Sequence, residues 1–193
     1  HLALDFINTV DNRGSTKEYD WLTTYEDAVV WAEQLHIIHP KATEKLFEET
    51  QHHKTVIYHH QILKTRENLH QIFETVINNF IPHNQTWEYF NEMLQWSMRN
   101  SAVKPNNGGY IWYFPHIEDD PIGFLQPILK EAADLLITGN LSRVKRCADE
   151  ICGWFFLDLS KNQSRRWCSM KDCGNRTKVK RHYERNKNSG GSI

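Results

Sequence analysis

All four cysteines of this 193-residue chain fall in its last third, as Cys147-x4-Cys152, a gap of fifteen residues, and Cys168-x4-Cys173. Two short Cys pairs separated by a hairpin-sized gap match the needs of a tetrahedral thiolate zinc site. Each pair turns tightly enough to aim two sulfurs inward, and the gap lets the chain return to close the site. Thiolate softness and four-coordination favour zinc over calcium or magnesium. With sulfur in every position there is no open place for water or substrate, so the expected role is structural. Three rivals stay open at this point: two disulfides, inert buried thiols, and an iron–sulfur cluster. Disulfides suit a small secreted domain, whereas no secretory leader is visible and residues 1–146 contain no cysteine.

Charge divides the chain at about the same place. Residues 141–193 hold 13 Lys and Arg against 5 Asp and Glu, a balance of +8. Of the totals of 23 and 24, that leaves 10 against 19 for residues 1–140, a balance of -9 within an overall -1. An acidic body joined to a basic tail points to a polyanion as the tail's partner, or to attraction between the two halves. Mean hydropathy is -0.65, and no apolar run approaches the ~20 residues of a membrane span.

The body reads as mostly helical. Leu2, Leu4 and Phe6 alternate ahead of the turn residues Asn8, Asp11, Asn12 and Gly14, which predicts a short N-terminal strand. A capping box from Thr23 to Glu26 opens a helix carrying Ala28, Trp31, Ala32 and Leu35 on one face. Pro40 begins a second helix through Ala42, Leu46 and Phe47. From Lys54 to Ile81, apolar residues from Ile62 to Phe80 recur at three- and four-residue steps before Pro82. A further helix spans Thr86 to Arg99, and another, capped by Asp119 or Asp120, runs from Ile122 to Ile137 and stops at Gly139-Asn140. Asn106-Asn107-Gly108-Gly109 marks a turn, and Tyr110 to Phe114 reads as a strand whose natural partner is the N-terminal segment.

After Asn140 the pattern changes. Leu141–Arg146 and Trp154–Leu157 read as strands flanking the first Cys pair, Asp158 to Gln163 as the turn, and Thr177 to Asn188 as a helix following the second pair. The fold expected is therefore α+β. A mostly helical N-terminal domain with a small strand pair, residues 1–140, precedes a ββα treble-clef-like zinc unit at 141–187 and a disordered tail at 188–193. Arg165, Arg166, Arg176, Lys178, Lys180, Arg181 and Arg185 crowd this unit, and a helix basic on most sides has little to bury and much to offer phosphates. A solvated helix balanced by the acidic body is the plainer account.

The segments Cys152-Gly-Trp-Phe-Phe-Leu-Asp158, Ser164-Arg-Arg-Trp167, Cys168-Ser-Met170 and Cys173-Gly-Asn-Arg176 closely resemble the CGNR zinc finger. Leu4-Asp-Phe-Ile-Asn-Thr9 resembles the opening of the ABATE domain, which usually precedes that finger in stress-induced bacterial transcription regulators. Together the resemblances cover almost the whole chain. They imply a cytoplasmic DNA-binding regulator with one structural zinc, a finger that contacts duplex DNA, and an N-terminal domain that senses a small-molecule effector or mediates homodimerisation. Gly174 and Asn175 would support the thiolates through a backbone turn or hydrogen bonds to sulfur.

Two weaker groupings remain. His52-His53 and His59-His60 lie seven apart on the long helix, too far for adjacent chelation, and exposed helix histidines explain them better than a metal. Asp5, Asn8, Thr9 and Asp11 could line a ligand pocket with Trp31 or Trp112, although turn and cap roles also suffice. No phosphate loop, nucleophile elbow or HExxH motif is present, so an enzyme is not expected. Two other functions compete with DNA binding. One is a protein-interaction module docking an acidic partner; the other is an RNA binder that stacks bases on Trp154, Phe156 or Trp167.

Overall fold

A computed structural model of the chain describes residues 1–50 and 52–189. Seven helices carry the architecture among the described residues: α1 (Leu2–Ile7), α2 (Tyr25–Gln34), α3 (Pro40–Glu49), α4 (His52–Ile77), α5 (Asn84–Met98), α6 (Leu125–Ile137) and α7 (Asn175–Ser189). Three two-stranded antiparallel pairs accompany them: β1 (Val10–Asp11) with β2 (Tyr19–Asp20), β3 (Ala102–Asn106) with β4 (Gly109–Tyr113), and β5 (Val144–Arg146) with β6 (Phe155–Leu157). The expected α+β class, helical with small strand pairs, is what the structure shows.

The core is helix on helix. On α6, Leu125, Ile128, Leu129, Ala132 and Ala133 recur at three- and four-residue steps and are buried, making one apolar face. On α4 the corresponding stripe is Ile62, Leu69, Ile72 and Phe73, all 0% exposed. Beyond Ile77 the stripe fails. Phe80 and Ile81 are exposed, because Asn79 takes a positive φ of 59° and ends the helix before Pro82.

Two sequence expectations are corrected here. The N-terminal segment is a helix, not a strand. A strand would bury only alternate residues, whereas α1 places Ala3, Leu4, Phe6 and Ile7 all in the core. It therefore does not pair with Tyr110–Phe114. That strand pairs instead with Ala102–Asn106 across the Asn107-Gly108 turn, whose φ values of 37° and 87° suit a tight hairpin. Pro105 and Lys104 had hidden the partner strand, yet closing a two-residue loop costs far less entropy than closing one of a hundred.

Smaller boundaries also move. The cap of α2 is Thr24 rather than Thr23: its hydroxyl accepts the Asp27 N–H, and Asp27 Oδ2 accepts the Thr24 N–H at 2.9 Å. No side chain caps α6, which starts at Leu125; Asp120 Oδ1 instead accepts the Ile122 N–H in the preceding turn. Leu141–Arg143 forms a 3-10 turn before the short β5. Helix α7 runs to Ser189, past the expected boundary at 187, and the rest of the expected tail, 190–193, lies outside the described residues.

The finger hairpin is built into this core. Val144 and Phe155 are buried in the same apolar cluster as α1, α4 and α6. Asn8, just after α1, donates from Nδ2 to the Phe155 carbonyl at 2.8 Å, and its Oδ1 accepts the Phe155 N–H at 2.9 Å. One side chain thus supplies β6 with the donor and acceptor of a neighbouring strand. Arg146 adds an ion pair to Glu74 on α4 at 2.9 Å.

Candidate metal centre

Four segments converge on one point. Cys147 leaves β5, Cys152 closes the first knuckle, Cys168 follows Trp167, and Cys173 sits in a wide helical turn (Met170–Gly174) that leads into α7. Backbone bonds set the geometry. Cys147 donates to the Trp154 carbonyl at 2.8 Å, Cys152 to that of Asp149 at 3.1 Å, and Ala148 to that of Arg166 at 2.8 Å. Gly153 completes the knuckle with a φ of 75°, a backbone that favours glycine, and a Cβ there would sit a tight 3.1 Å from that of Arg13.

The four Sγ atoms lie within 4.8 Å of one another. Cys168 Sγ is 3.5 Å from those of both Cys152 and Cys173. A zinc tetrahedron with ~2.3 Å bonds puts its sulfurs about 3.8 Å apart, so the set fits a single ion. The cysteines are free, which removes the disulfide reading, since a bonded pair would sit at about 2.05 Å. In an iron–sulfur cluster the irons share out the thiolates, which holds the sulfurs further apart than this set allows. Crowding also argues for a cation. Hydrogen bonds from Cys152 and Cys168 hold Cys147 well below the usual thiol range, while Cys147 drives Cys152 up and pushes Cys168 up to about 12. Without a divalent ion one thiolate excludes the others; with one, all four can ionise.

The thiols have an apolar wall and a polar support. Trp154 and Trp167 pack against them, and both indole N–H groups are buried without a hydrogen-bond partner. Cys173 Sγ accepts from Arg176 Nη2 at 3.3 Å, Cys147 Sγ from the Cys168 N–H at 3.4 Å. Arg176 is fixed in turn by the buried carboxylate of Asp149, Nε to Oδ2 at 2.7 Å. Gly174 has an ordinary φ, its N–H donates to the Ser169 carbonyl at 3.0 Å rather than to a sulfur, and a Cβ there would meet only the movable end of the exposed Met170, Sδ at 2.5 Å. Asn175 is exposed in the first turn of α7, with no bond to the thiols among the described residues.

A second buried group shapes the loop that returns to Cys168. Asp158 is 0% exposed and accepts from Lys145 Nζ at 2.6 Å, Ser160 Oγ at 2.6 Å, and the backbone N–H groups of Ser160 and Arg165, each at 3.0 Å. Lys145 holds its carboxyl well below the usual carboxylate range. Asp158 reads in the sequence as a turn residue, and only the cluster of turn residues after it hints at more. Asp149 had no signal beyond its place inside the first Cys pair.

The sequence-predicted basic residues divide into two groups. Arg165 donates Nε to the Trp167 carbonyl at 2.9 Å and Nη2 to that of Cys168, Arg176 serves Asp149 and Cys173, and Lys180 pairs with Glu150. These three hold the finger together. Arg166 lies over the Trp167 ring at 5.5 Å, and Lys178 and Arg181 are exposed on α7 with no ion pair among the described residues. Arg185 is exposed on the same helix. Beside them, a groove of about 820 Å³ between the end of α4 and the finger is lined by Lys145, Arg146, Arg165 and Arg166.

Of the expected pocket residues, Asp5, Asn8 and Trp31 do line one cleft, of about 450 Å³, together with Trp154 of the finger. Trp112 does not: it lies in the β3–β4 hairpin with Lys130 over its ring at 5.0 Å. Among the described residues the histidine pairs gather no further ligands. His59 Nε2 bonds the Leu22 carbonyl at 2.9 Å, His53 and His60 are exposed, and the side chain of His52 is outside the described residues.

A family model described as "Putative stress-induced transcription regulator", ABATE, matches residues 1–139. The chain belongs to the ABATE family. The CGNR zinc finger model matches residues 143–186, so the four-cysteine unit is a CGNR finger following an ABATE domain. A comparison with curated proteins finds no match. The four thiols of the finger are the ligands of a single structural zinc. No helix among the described residues is long and apolar enough to cross a membrane.

Proposed function

We propose that the protein is a bacterial cytoplasmic transcription regulator whose CGNR finger binds duplex DNA, with the ABATE domain sensing an effector or pairing two copies. The observation that carries the reading is the outward basic surface of the finger. Arg166, Lys178 and Arg181 are exposed and make no ion pair among the described residues, within residues 141–193, whose balance is +8. Charges already paired within a protein contribute little to phosphates, so these residues, not Arg165, Arg176 or Lys180, would make the contacts. The family description supports a regulator. The reading assigns no chemistry beyond binding.

RNA stacking has less support. Phe156 is buried with Arg165 over its ring at 4.6 Å, and Trp154 and Trp167 are partly buried, packed against the thiols. A protein partner is the second reading, because α7 folds back onto acidic groups, Asp149 and Glu150 of the finger itself.

The test is a fluorescence-anisotropy titration of the zinc-loaded protein against random duplex DNA over a range of salt. Affinity should fall log-linearly with salt, and a Lys178→Glu/Arg181→Glu variant should weaken binding by about tenfold or more and flatten the slope by about two. Absence of binding at low salt would overturn the reading.

A further inference from the structure

The 450 Å³ cleft lies on the seam between the ABATE domain and the finger, and its size falls in the range of small-molecule sites. Its walls have a definite chemistry. Three tryptophans line it: Trp21 from the segment after β2, Trp31 from α2 and Trp154 from the finger. Two carboxyl groups, Asp5 and Asp27, line it as well, and no Lys, Arg or His does among the described residues.

Asp27 has reason to stay ionised. Asp27 Oδ2 accepts from the Thr23 and Thr24 N–H groups and the Thr23 hydroxyl at 2.6–3.0 Å, and these bonds hold its pKa below the ordinary value. The side chain of Asp5 is more than half exposed. An anion entering the cleft would meet two carboxyl groups and no basic side chain among the lining residues. A neutral apolar molecule would use the indoles alone. An ammonium ion with apolar substituents uses both, its charge attracted to the carboxylates and to the indole faces.

We propose that this cleft binds an organic ammonium cation with apolar substituents. Asn8 lines the cleft and also clamps Phe155, the residue next to Trp154. A bound cation therefore touches both sides of the seam that joins the two domains. The proposal does not depend on DNA binding, because it is tested without nucleic acid.

Benzyltrimethylammonium is titrated into the full zinc-loaded chain and followed by tryptophan fluorescence and calorimetry. Its uncharged near-isostere 2-methyl-1-phenylpropan-2-ol and benzoate are run beside it. The expected result is saturable binding of the cation, at least about fivefold tighter than the neutral analogue, with none of benzoate. Trp21→Leu and Asp5→Asn, at side chains more than half exposed, should each weaken the cation by about threefold or more with an unchanged circular-dichroism melting curve. No saturable binding by about 10 mM cation, equal binding of the neutral analogue, or unchanged affinity in both folded variants would each overturn the proposal.

Discussion

The Asn8 carboxamide bonds both backbone groups of Phe155, residues 147 positions apart, and so joins the first helix of the ABATE domain to the second strand of the finger. Phe155 itself is 1% exposed and belongs to the ABATE core. The two units therefore share packing as well as a linker. Asn8→Ala should cost about 2 kcal/mol, since two hydrogen bonds go and the Phe155 backbone is left unpaired. Phe155→Ala should cost about 3–5 kcal/mol by leaving a core cavity. Urea unfolding of the zinc-loaded protein, followed through the helical signal, measures both.

Much of this arrangement was legible in the sequence. The Cys spacing gave the metal centre, and apolar steps of three and four located the helices of the core. What escaped depended on distant partners. Nothing local in Leu4-Asp-Phe-Ile-Asn-Thr9 says that Asn8 clamps residue 155, and a run of three alternating apolar residues suits a strand until tertiary packing rewards a helix. Likewise Arg176 looks like any other basic residue of α7, although Asp149 and Cys173 hold it in place.

Arg66 is the buried charge of the ABATE domain, its side chain 3% exposed. It pairs with Asp20 through two bonds of 2.7 and 2.6 Å, donates to the Thr9 hydroxyl at 3.1 Å, and reaches Glu67 at 2.9 Å. Arg66→Ala leaves the partly exposed Asp20 without its ion-pair partner and loosens the β1–β2 segment, at an expected cost of about 2–3 kcal/mol. A well-packed Arg66→Met/Asp20→Leu pair should recover part of it. Thermal and urea unfolding of both variants check this.

His70 lies tilted against Phe155, ring centroids 5.2 Å apart, with Nε2 buried and unpartnered among the described residues. Burial first, and then the Arg13 charge, lowers its pKa from 6.5 to about 4. In the unfolded chain the imidazole takes up a proton near 6.5, which the folded state refuses until about 4. Its contribution to stability is thus complete above pH 6.5 and lost as pH falls towards 4, up to about 3 kcal/mol. The difference in unfolding free energy between the wild type and His70→Phe, measured from about pH 7.5 to about 4.5, should grow in favour of the variant as pH falls. A pH-independent difference would contradict the assignment.

Arg176 donates to Cys173 Sγ and so favours the thiolate. Arg176→Ala should weaken zinc by about tenfold, and Arg176→Lys should restore only part of it, lacking the second arm that reaches Asp149. Competition with a chromophoric chelator reads the affinities. Lys178→Ala, on the same helix but without such a bond among the described residues, should leave zinc affinity unchanged.

The most direct test of the account is the thermal unfolding of the ABATE helices with and without the finger's metal. Metal analysis should first give one zinc per chain. Chelation should then lower the far-ultraviolet midpoint by roughly 10 °C or more in a single transition, because the zinc-held hairpin completes the helical core through Phe155 and Val144. A protein without bound zinc, or a helical transition indifferent to its removal, would contradict the account.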